Sequence, residues 1–402
     1  MLEYINFIIL QIVSKIGKFF IEIIPSFLLP SQEYGEFSYL YSLIIVLSSL
    51  GVLGLHTSLL RLVNEKYQNL FSIVINIQII SFFILFITSI LFVKNNYLFI
   101  FIFITFGFSL LQTFSTFFRA TQQIKKWFFY REVIVFSIMT LILSVFYFLE
   151  IELNIKYLLF ILLAVVMISV LLMFIHLNKF FKFKIENLFS LKKETIEILK
   201  ISIPMFFTGF TYLLLSRLDV IMLNSYISED LLGNYNIIAR VSFQVLFFWQ
   251  VVSAYFMPKI AKFFANNDLY NIKKYHKRYL FLSIVLTLFL SLFLSLFINF
   301  VDMKNYIHNW NSNLEQTMYL ILIGQFVSVV FSSYGYFILY IHKEKLAYIN
   351  SIFMLIFAVT FNLIFIPLYG IKGAAFANIC SVLLFNLIEL FEIYYYKKTL
   401  YL

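Results

Sequence analysis

Residues Thr211–Tyr226 read TYLLLSRLDVIMLNSY. Most of this stretch suits hydrocarbon, yet Arg217 and Asp219 stand near its middle. What surrounds the segment decides how the two charges are read. Hydrophobic residues make up 62% of the 402-residue chain and charged residues 12%, with Phe alone contributing 53. A soluble domain is roughly 25% charged. The apolar blocks each reach the roughly 20 residues that a membrane-spanning helix needs. The chain is therefore a polytopic, all-α integral membrane protein, and Arg217 and Asp219 are charges inside a span.

Counting outward from that segment gives twelve expected spans, at 5–29, 37–60, 70–93, 97–118, 128–149, 155–177, 201–226, 233–257, 280–301, 317–341, 346–367 and 373–396. The first block is too long for a removable signal peptide and lacks a small-residue cleavage site, so it is expected to be a permanent helix. The loops alternate in charge. One set holds 22 Lys and Arg residues and the other holds only Lys94, Lys156, Lys304 and Lys372. The positive-inside rule places the richer set, and with it both termini, in the cytoplasm. This distribution explains the net charge of +10 and argues against a nucleic-acid partner. The basic stretch "KIAKFFANNDLYNIKKYHKRYL" is expected to be an ordinary cytoplasmic loop, with an amphipathic surface helix as the alternative.

The polar stretch from Asn178 to Lys200 divides the chain into 1–190 and 191–402. The two halves look related. "SQEYGEFSYLYS" (31–42) and "SEDLLGNYNIIA" (228–239) are both short acidic loops that run through a glycine into a new helix. Superimposing Gly35 on Gly233 places Arg61 on Lys259, Glu22 one position from Asp219 and Lys18 one position from Arg217. Twelve helices are thus expected in two six-helix bundles with pseudo-two-fold symmetry along the membrane normal, a known transporter plan.

Arg131 and Lys156, within three residues of a span's start, count with the loops, and four further basic residues fall inside spans: Lys15, Lys18, Arg217 and Arg240. Each ionised group at mid-bilayer costs roughly 2.5–3.5 kcal/mol. Lys15, Lys18, Glu22, Arg217 and Asp219 together would cost more than about 12 kcal/mol if they faced lipid. They must face protein, water or each other. Arg217 and Asp219 are two positions apart and point to different sides of a helix, whereas Lys18 and Glu22 are four apart and are able to pair. Two readings follow. In one, a cationic, water-filled cavity attracts an anionic substrate. In the other, the charges form interhelical pairs, such as Arg217 with Glu22 and Asp219 with Lys18 or Arg240. The surplus of cations over acids favours the first. The single cysteine, Cys380, and the histidines offer no metal-ligand spacing, and no cofactor is expected.

Three stretches carry a family resemblance: "YGEFSYLYSLIIVLSSLGVLGLHTSLLRLVNE", "ISIPMFFTGFTYLLLSRLDVIMLNSYISEDLLGNYNIIARV" and "FNLIFIPLYGIKGAAFANICSVLLFNLIEL". They resemble the span 2, span 7–8 and span 11–12 regions of bacterial O-antigen and polysaccharide flippases. These form the polysaccharide transporter family of the multidrug/oligosaccharidyl-lipid/polysaccharide exporter superfamily. The resemblance implies a non-enzymatic transporter of the bacterial cytoplasmic (inner) membrane. It would move undecaprenyl-pyrophosphate-linked oligosaccharide from the inner to the outer leaflet by alternating access. Its implied partners are that glycan, membrane lipid and a polysaccharide polymerase. Spans 1, 2, 7 and 8 would line the cavity, which assigns Lys15, Lys18, Arg61, Arg217 and Arg240 to substrate, with Glu22 and Asp219 as ion-pair or coupling residues. A multidrug exporter of the same superfamily is the alternative, but would favour an acidic cavity. A membrane polysaccharide polymerase or ligase would call for a large loop rich in Arg and His on the outer side, whereas the longest such loop here, 302–316, has His308 and Lys304 as its only basic groups.

Overall fold

A computed structural model of the chain describes residues 16–63, 70–93, 96–181, 192–300, 307, 310–340 and 344–396. The described residues are helical, with no strand among them. Ten helical stretches are long and apolar enough to cross a membrane. They correspond to the expected spans 2–6 and 8–12, from Ser31–Val52 through Ile371–Tyr396. Of the other two, the 5–29 block lies partly outside the described residues, and the 201–226 block is interrupted within Thr211–Tyr226.

Two compact units divide the chain, Met1–Arg217 and Leu218–Leu402. In the first, a helix over 16–23 (α1) is followed by α2 (Pro25–Leu28), α3 (Ser31–Val52), α4 (Leu55–Leu62), α5 (Leu70–Phe92) and α6 (Leu98–Ala120). Then come α7 (Ile124–Phe128), a π-helical segment (Phe129–Ser137), α8 (Ile138–Phe148), α9 (Ile155–Phe181) and α10 (Lys192–Leu215). Helix α6 packs on α3, α4, α5 and α9, and α10 packs on α3, α4 and α5. Phe71 lies at the centre of a ring cluster with Phe114, Phe117 and Phe174. Lipid tails are as apolar as Phe, so polar contacts supply specificity that burial alone does not. Gln78 of α5 donates to the Gly51 carbonyl of α3 at 3.3 Å and to the Thr113 hydroxyl of α6 at 3.0 Å, and accepts from Ser109 at 3.0 Å.

Span 2 is not one helix. It breaks where Leu53 and Gly54 both take positive φ, 49° and 78°. A Cβ on Gly54 would run into the backbone of α10, at the Ser202 carbonyl and, 2.9 Å away, the Phe206 nitrogen. Glycine here meets two demands together: a left-handed conformation and close approach of two backbones. One turn on, the Ser58 and Ser202 hydroxyls share a 2.6 Å hydrogen bond.

The second unit holds α11 (Leu218–Leu223), α12 (Glu229–Phe243), α13 (Leu246–Ala265), α14 (Leu269–Phe300), α15 (Ser312–Phe331), α16 (Ser333–Tyr340), α17 (Glu344–Tyr369) and α18 (Ile371–Tyr396). Helix α18 packs on α15, α16 and α17. The α17–α18 turn rests on Gly370, whose φ is +56°. The basic stretch expected to be a loop is instead two helix ends. Helix α13 runs to Ala265, Asn267 takes φ 52°, and Asp268 accepts from the Asn271 backbone nitrogen at 3.1 Å to start α14. A left-handed Asn followed by a capping Asp is a compact helix–helix turn, which the run of lysines around it obscures.

Candidate functional site

The interruption in Thr211–Tyr226 falls at its arginine. Helix α10 ends at Leu215, and the Ser216 hydroxyl donates back to the Leu213 carbonyl at 2.7 Å. The Arg217 nitrogen bonds the Leu214 carbonyl, and a new helix begins at Leu218. Non-helical backbone at membrane depth is tolerated where protein or water satisfies it, and broken helices in transporters mark binding regions.

Arg217 closes the first unit. Its two terminal nitrogens donate to the two oxygens of Glu22, each at 2.7 Å. Both residues are buried, at 8% and 7% exposure. The guanidinium also lies 5.8 Å from the Tyr41 ring centre, and the Tyr34 hydroxyl donates to the Glu22 carbonyl at 2.8 Å. Bidentate guanidinium–carboxylate pairing is the strongest geometry available to two such side chains. The charge that looked misplaced in the sequence is matched across 195 residues by an acid on α1.

Lys18 lies on the same helix but not in the same pair. It bonds Glu132 of the π-helical segment, with its ammonium 5.1 Å from the Phe136 ring centre. Arg131 also reaches Glu132, at 3.3 Å. One carboxylate therefore serves two cations. The Lys18 side chain keeps 45% of its exposure, while Glu132 keeps 6%. The local Lys18–Glu22 pair that the i,i+4 spacing allowed does not form, because each has a better-placed partner on another helix. Beyond Arg131, the Trp127 ring has guanidinium groups near it from Arg119, at 5.3 Å, and Arg131, at 5.8 Å.

In the second unit, Asp219 opens α11. Its carboxylate accepts from the Tyr235 hydroxyl at 2.7 Å and from the Val220 backbone nitrogen at 2.9 Å. Arg240 lies one turn before the end of α12. Its Nε donates to Asn236 at 3.1 Å, and its guanidinium lies 5.2 Å from the Phe243 ring centre. Arg61 lies in α4, but its side chain is outside the described residues, as is Lys15 altogether.

The sequence reading missed Glu132, and with it the roles of Arg131 and Arg119. Arg131, grouped with the loop cations by its place at the start of span 5, lies within the helical segment Phe129–Ser137. The signal was present: an acid inside the apolar block 128–149, the same feature that singled out Glu22 and Asp219. Two further acids, Glu389 and Glu392 of α18, lie inside an apolar block in the same way.

A family model described as polysaccharide biosynthesis protein matches residues 4–264. No curated protein matches the sequence. Among solved structures, the chain is similar to the lipid II flippase MurJ in an inward closed conformation. The TM-score is 0.70 and the identity 16%, over 97% of this chain and 87% of that one. It is also similar to an inward-facing multidrug resistance MATE family transporter of the MOP superfamily. There the TM-score is 0.69 and the identity 13%, over 96% of each chain. At such identities the likeness establishes the fold, and the two scores do not separate the one neighbour from the other.

Proposed function

The chain belongs to the polysaccharide biosynthesis protein family, and from that premise we propose that it is a flippase for lipid-linked glycan. Its substrate is an undecaprenyl-pyrophosphate-linked oligosaccharide, an O-antigen or capsule repeat unit. It carries this substrate from the inner to the outer leaflet of the bacterial cytoplasmic membrane by alternating access. The twelve-span plan, the bundles 1–190 and 191–402 and the cytoplasmic termini belong to the same proposal. A polysaccharide polymerase is the enzyme that would consume the exported unit.

The observation that carries this reading is the Lys18–Glu132–Arg131 group. Two cations share one carboxylate, and the lysine of the group is half-exposed. A net positive group at membrane depth attracts an anion and repels a cationic drug. A diphosphate offers several strong acceptor oxygens and fits guanidinium and ammonium donors. In this account Lys15, Lys18, Arg61, Arg217 and Arg240 meet the diphosphate or an acidic sugar. Arg217 exchanges the Glu22 carboxylate for a phosphate, since both accept its two donors side by side. Glu22 and Asp219 serve as ion-pair or coupling residues that hold the site when substrate is absent. The broken span at Arg217 supports the same assignment, because discontinuous helices at membrane depth form binding regions in transporters.

The multidrug reading is not favoured by any particular residue. A cationic drug would call for an acidic, accessible group, whereas Glu22 and Glu132 are both engaged by cations. The test is made in cells. In a strain that lacks its own flippase, the wild-type chain should restore surface polysaccharide. Arg217→Ala should leave the lipid-linked unit on the cytoplasmic side when export is compared at matched levels of folded protein. Full export by that variant would remove Arg217 from the mechanism, and raised drug resistance without export would move the chain to the drug-exporter branch.

A further inference from the structure

Helix α18 carries three polar residues at intervals of three: Asn386, Glu389 and Glu392. The spacing puts them along one side of the helix. Glu392 is served, since Asn350 of α17 donates to it at 2.7 Å. Glu389 is different. It is 5% exposed, and among the described residues no donor and no cation reaches its carboxyl. The charged group that acts on it is Glu392, another acid. One turn earlier, the Asn386 amide nitrogen is buried and also lacks a partner among the described residues.

The room for this carboxyl is made by a glycine. A Cβ on Gly335 of α16 would lie 2.9 Å from one Glu389 oxygen and 3.4 Å from the other. Just before Gly335 the span is broken. Helix α15 ends at Phe331, Ser332 bonds back to the Val329 carbonyl, and α16 starts at Ser333. The Ser333 hydroxyl is bonded to His276 at 2.8 Å, and the Ser332 hydroxyl to Tyr279 at 2.6 Å. The carboxyl therefore sits against backbone, next to a discontinuity in the helix that faces it.

An unpaired carboxylate inside a membrane span is costly, whereas a neutral carboxylic acid is not. Two carboxylates one turn apart raise the cost of ionising both. Among the described side chains of the elements packed on α18 none is a cation: α11 brings Asp219, bonded by Tyr235, and α15 brings Glu315 and Tyr319. Helix α16 brings Tyr334, Tyr336 and Tyr340, α17 brings Tyr348, and His276 of α14 is held by Ser333. We propose that Glu389 is a proton-binding site of this transporter, with the neutral acid lodged against Gly335 as its loaded form. Loading forms one O–H bond on the carboxyl, with the proton taken from hydronium and water released. Unloading reverses it, and no redox partner is involved. The site lies within the second unit and does not depend on which substrate the protein carries.

An apolar carbodiimide tests this directly, because it adds to a neutral buried carboxyl and leaves a stable adduct that mass spectrometry maps. The full chain in proteoliposomes would be treated with dicyclohexylcarbodiimide over a range of pH. The adduct is expected on Glu389, falling about tenfold for each pH unit above the point of proton release. Glu389→Gln, which imitates the neutral acid, should keep the wild-type melting temperature and lose the adduct. In a transport assay it should also lose any acceleration by an imposed proton gradient while keeping gradient-free exchange. The wild-type measurement needs no variant to fold. Glu389 left unlabelled at every pH, or labelled without pH dependence, would overturn the proposal. Protection by sodium in place of alkali would overturn it too, in favour of a sodium site. Labelling as expected in a protein that moves no lipid-linked glycan would leave this site standing and refute the substrate reading alone.

Discussion

Arg217 and Glu22 meet through two 2.7 Å hydrogen bonds with both side chains at 10% exposure. Removing one partner of a buried pair leaves an uncompensated charge, at a cost of about 3–5 kcal/mol. Arg217→Ala or Glu22→Ala alone should therefore lower the melting temperature in detergent sharply. The double variant should be less destabilised than the sum of the two, and strict additivity would show that the pair does not couple. Lys18 is a contrast, because its side chain is 45% exposed. Glu132 keeps Arg131 when Lys18 is lost, so Lys18→Ala should lower the melting temperature less than Arg217→Ala does. A large effect of Lys18→Ala on transport with a small one on melting is the signature expected of a residue that meets substrate. The partner of Arg217 was legible in the sequence as one of two readings, since Glu22 is an acid in an apolar block. The partner of Lys18 was not, because a local acid four residues away hid a distant one near the start of span 5.

At the level of elements, the breaks carry more information than the spans. Hydropathy located ten spans, because a 20-residue apolar block has few alternatives, though some ends lie as much as 11 residues from those expected, as at Leu269–Phe297 against 280–301. It did not locate the breaks at Gly54, Arg217, Gln244 and Ser332, where composition stays apolar and only the backbone turns. Gly54 is the clearest case. Its φ of +78° and its contact with the α10 backbone both exclude a side chain. Gly54→Ala should cost about 1–3 kcal/mol from backbone strain alone, and more from the clash. Ser202→Ala, which removes only the hydrogen bond to Ser58, should cost about 0.6 kcal/mol. Melting curves of the two variants in one detergent give the comparison. Equal losses would mean that α4 and α10 are joined by the hydroxyl pair and not by backbone approach.

For the whole molecule, the charge asymmetry of the loops makes a prediction independent of any site. Cys380 is the only cysteine, so Cys380→Ala gives a background without thiols. In that background, Lys126→Cys should react with an impermeant thiol reagent only from the cytoplasmic side, and Glu150→Cys only from the outer side. The reverse pattern would invert the topology. The all-helical membrane fold was legible at this scale because long apolar blocks leave few alternatives, and ten of the expected spans and the fold likeness to the MurJ and MATE structures agree with it. The substrate was less legible, since a cationic group specifies an anion and not a glycan. The most direct test is leaflet transfer by purified protein in proteoliposomes loaded with labelled undecaprenyl-pyrophosphate oligosaccharide. The account predicts that label reaches the opposite leaflet with the wild-type chain, and that Lys18→Ala and Arg217→Ala prevent it. Label that stays in its original leaflet with the folded wild-type protein, or crosses equally well with both variants, would contradict it.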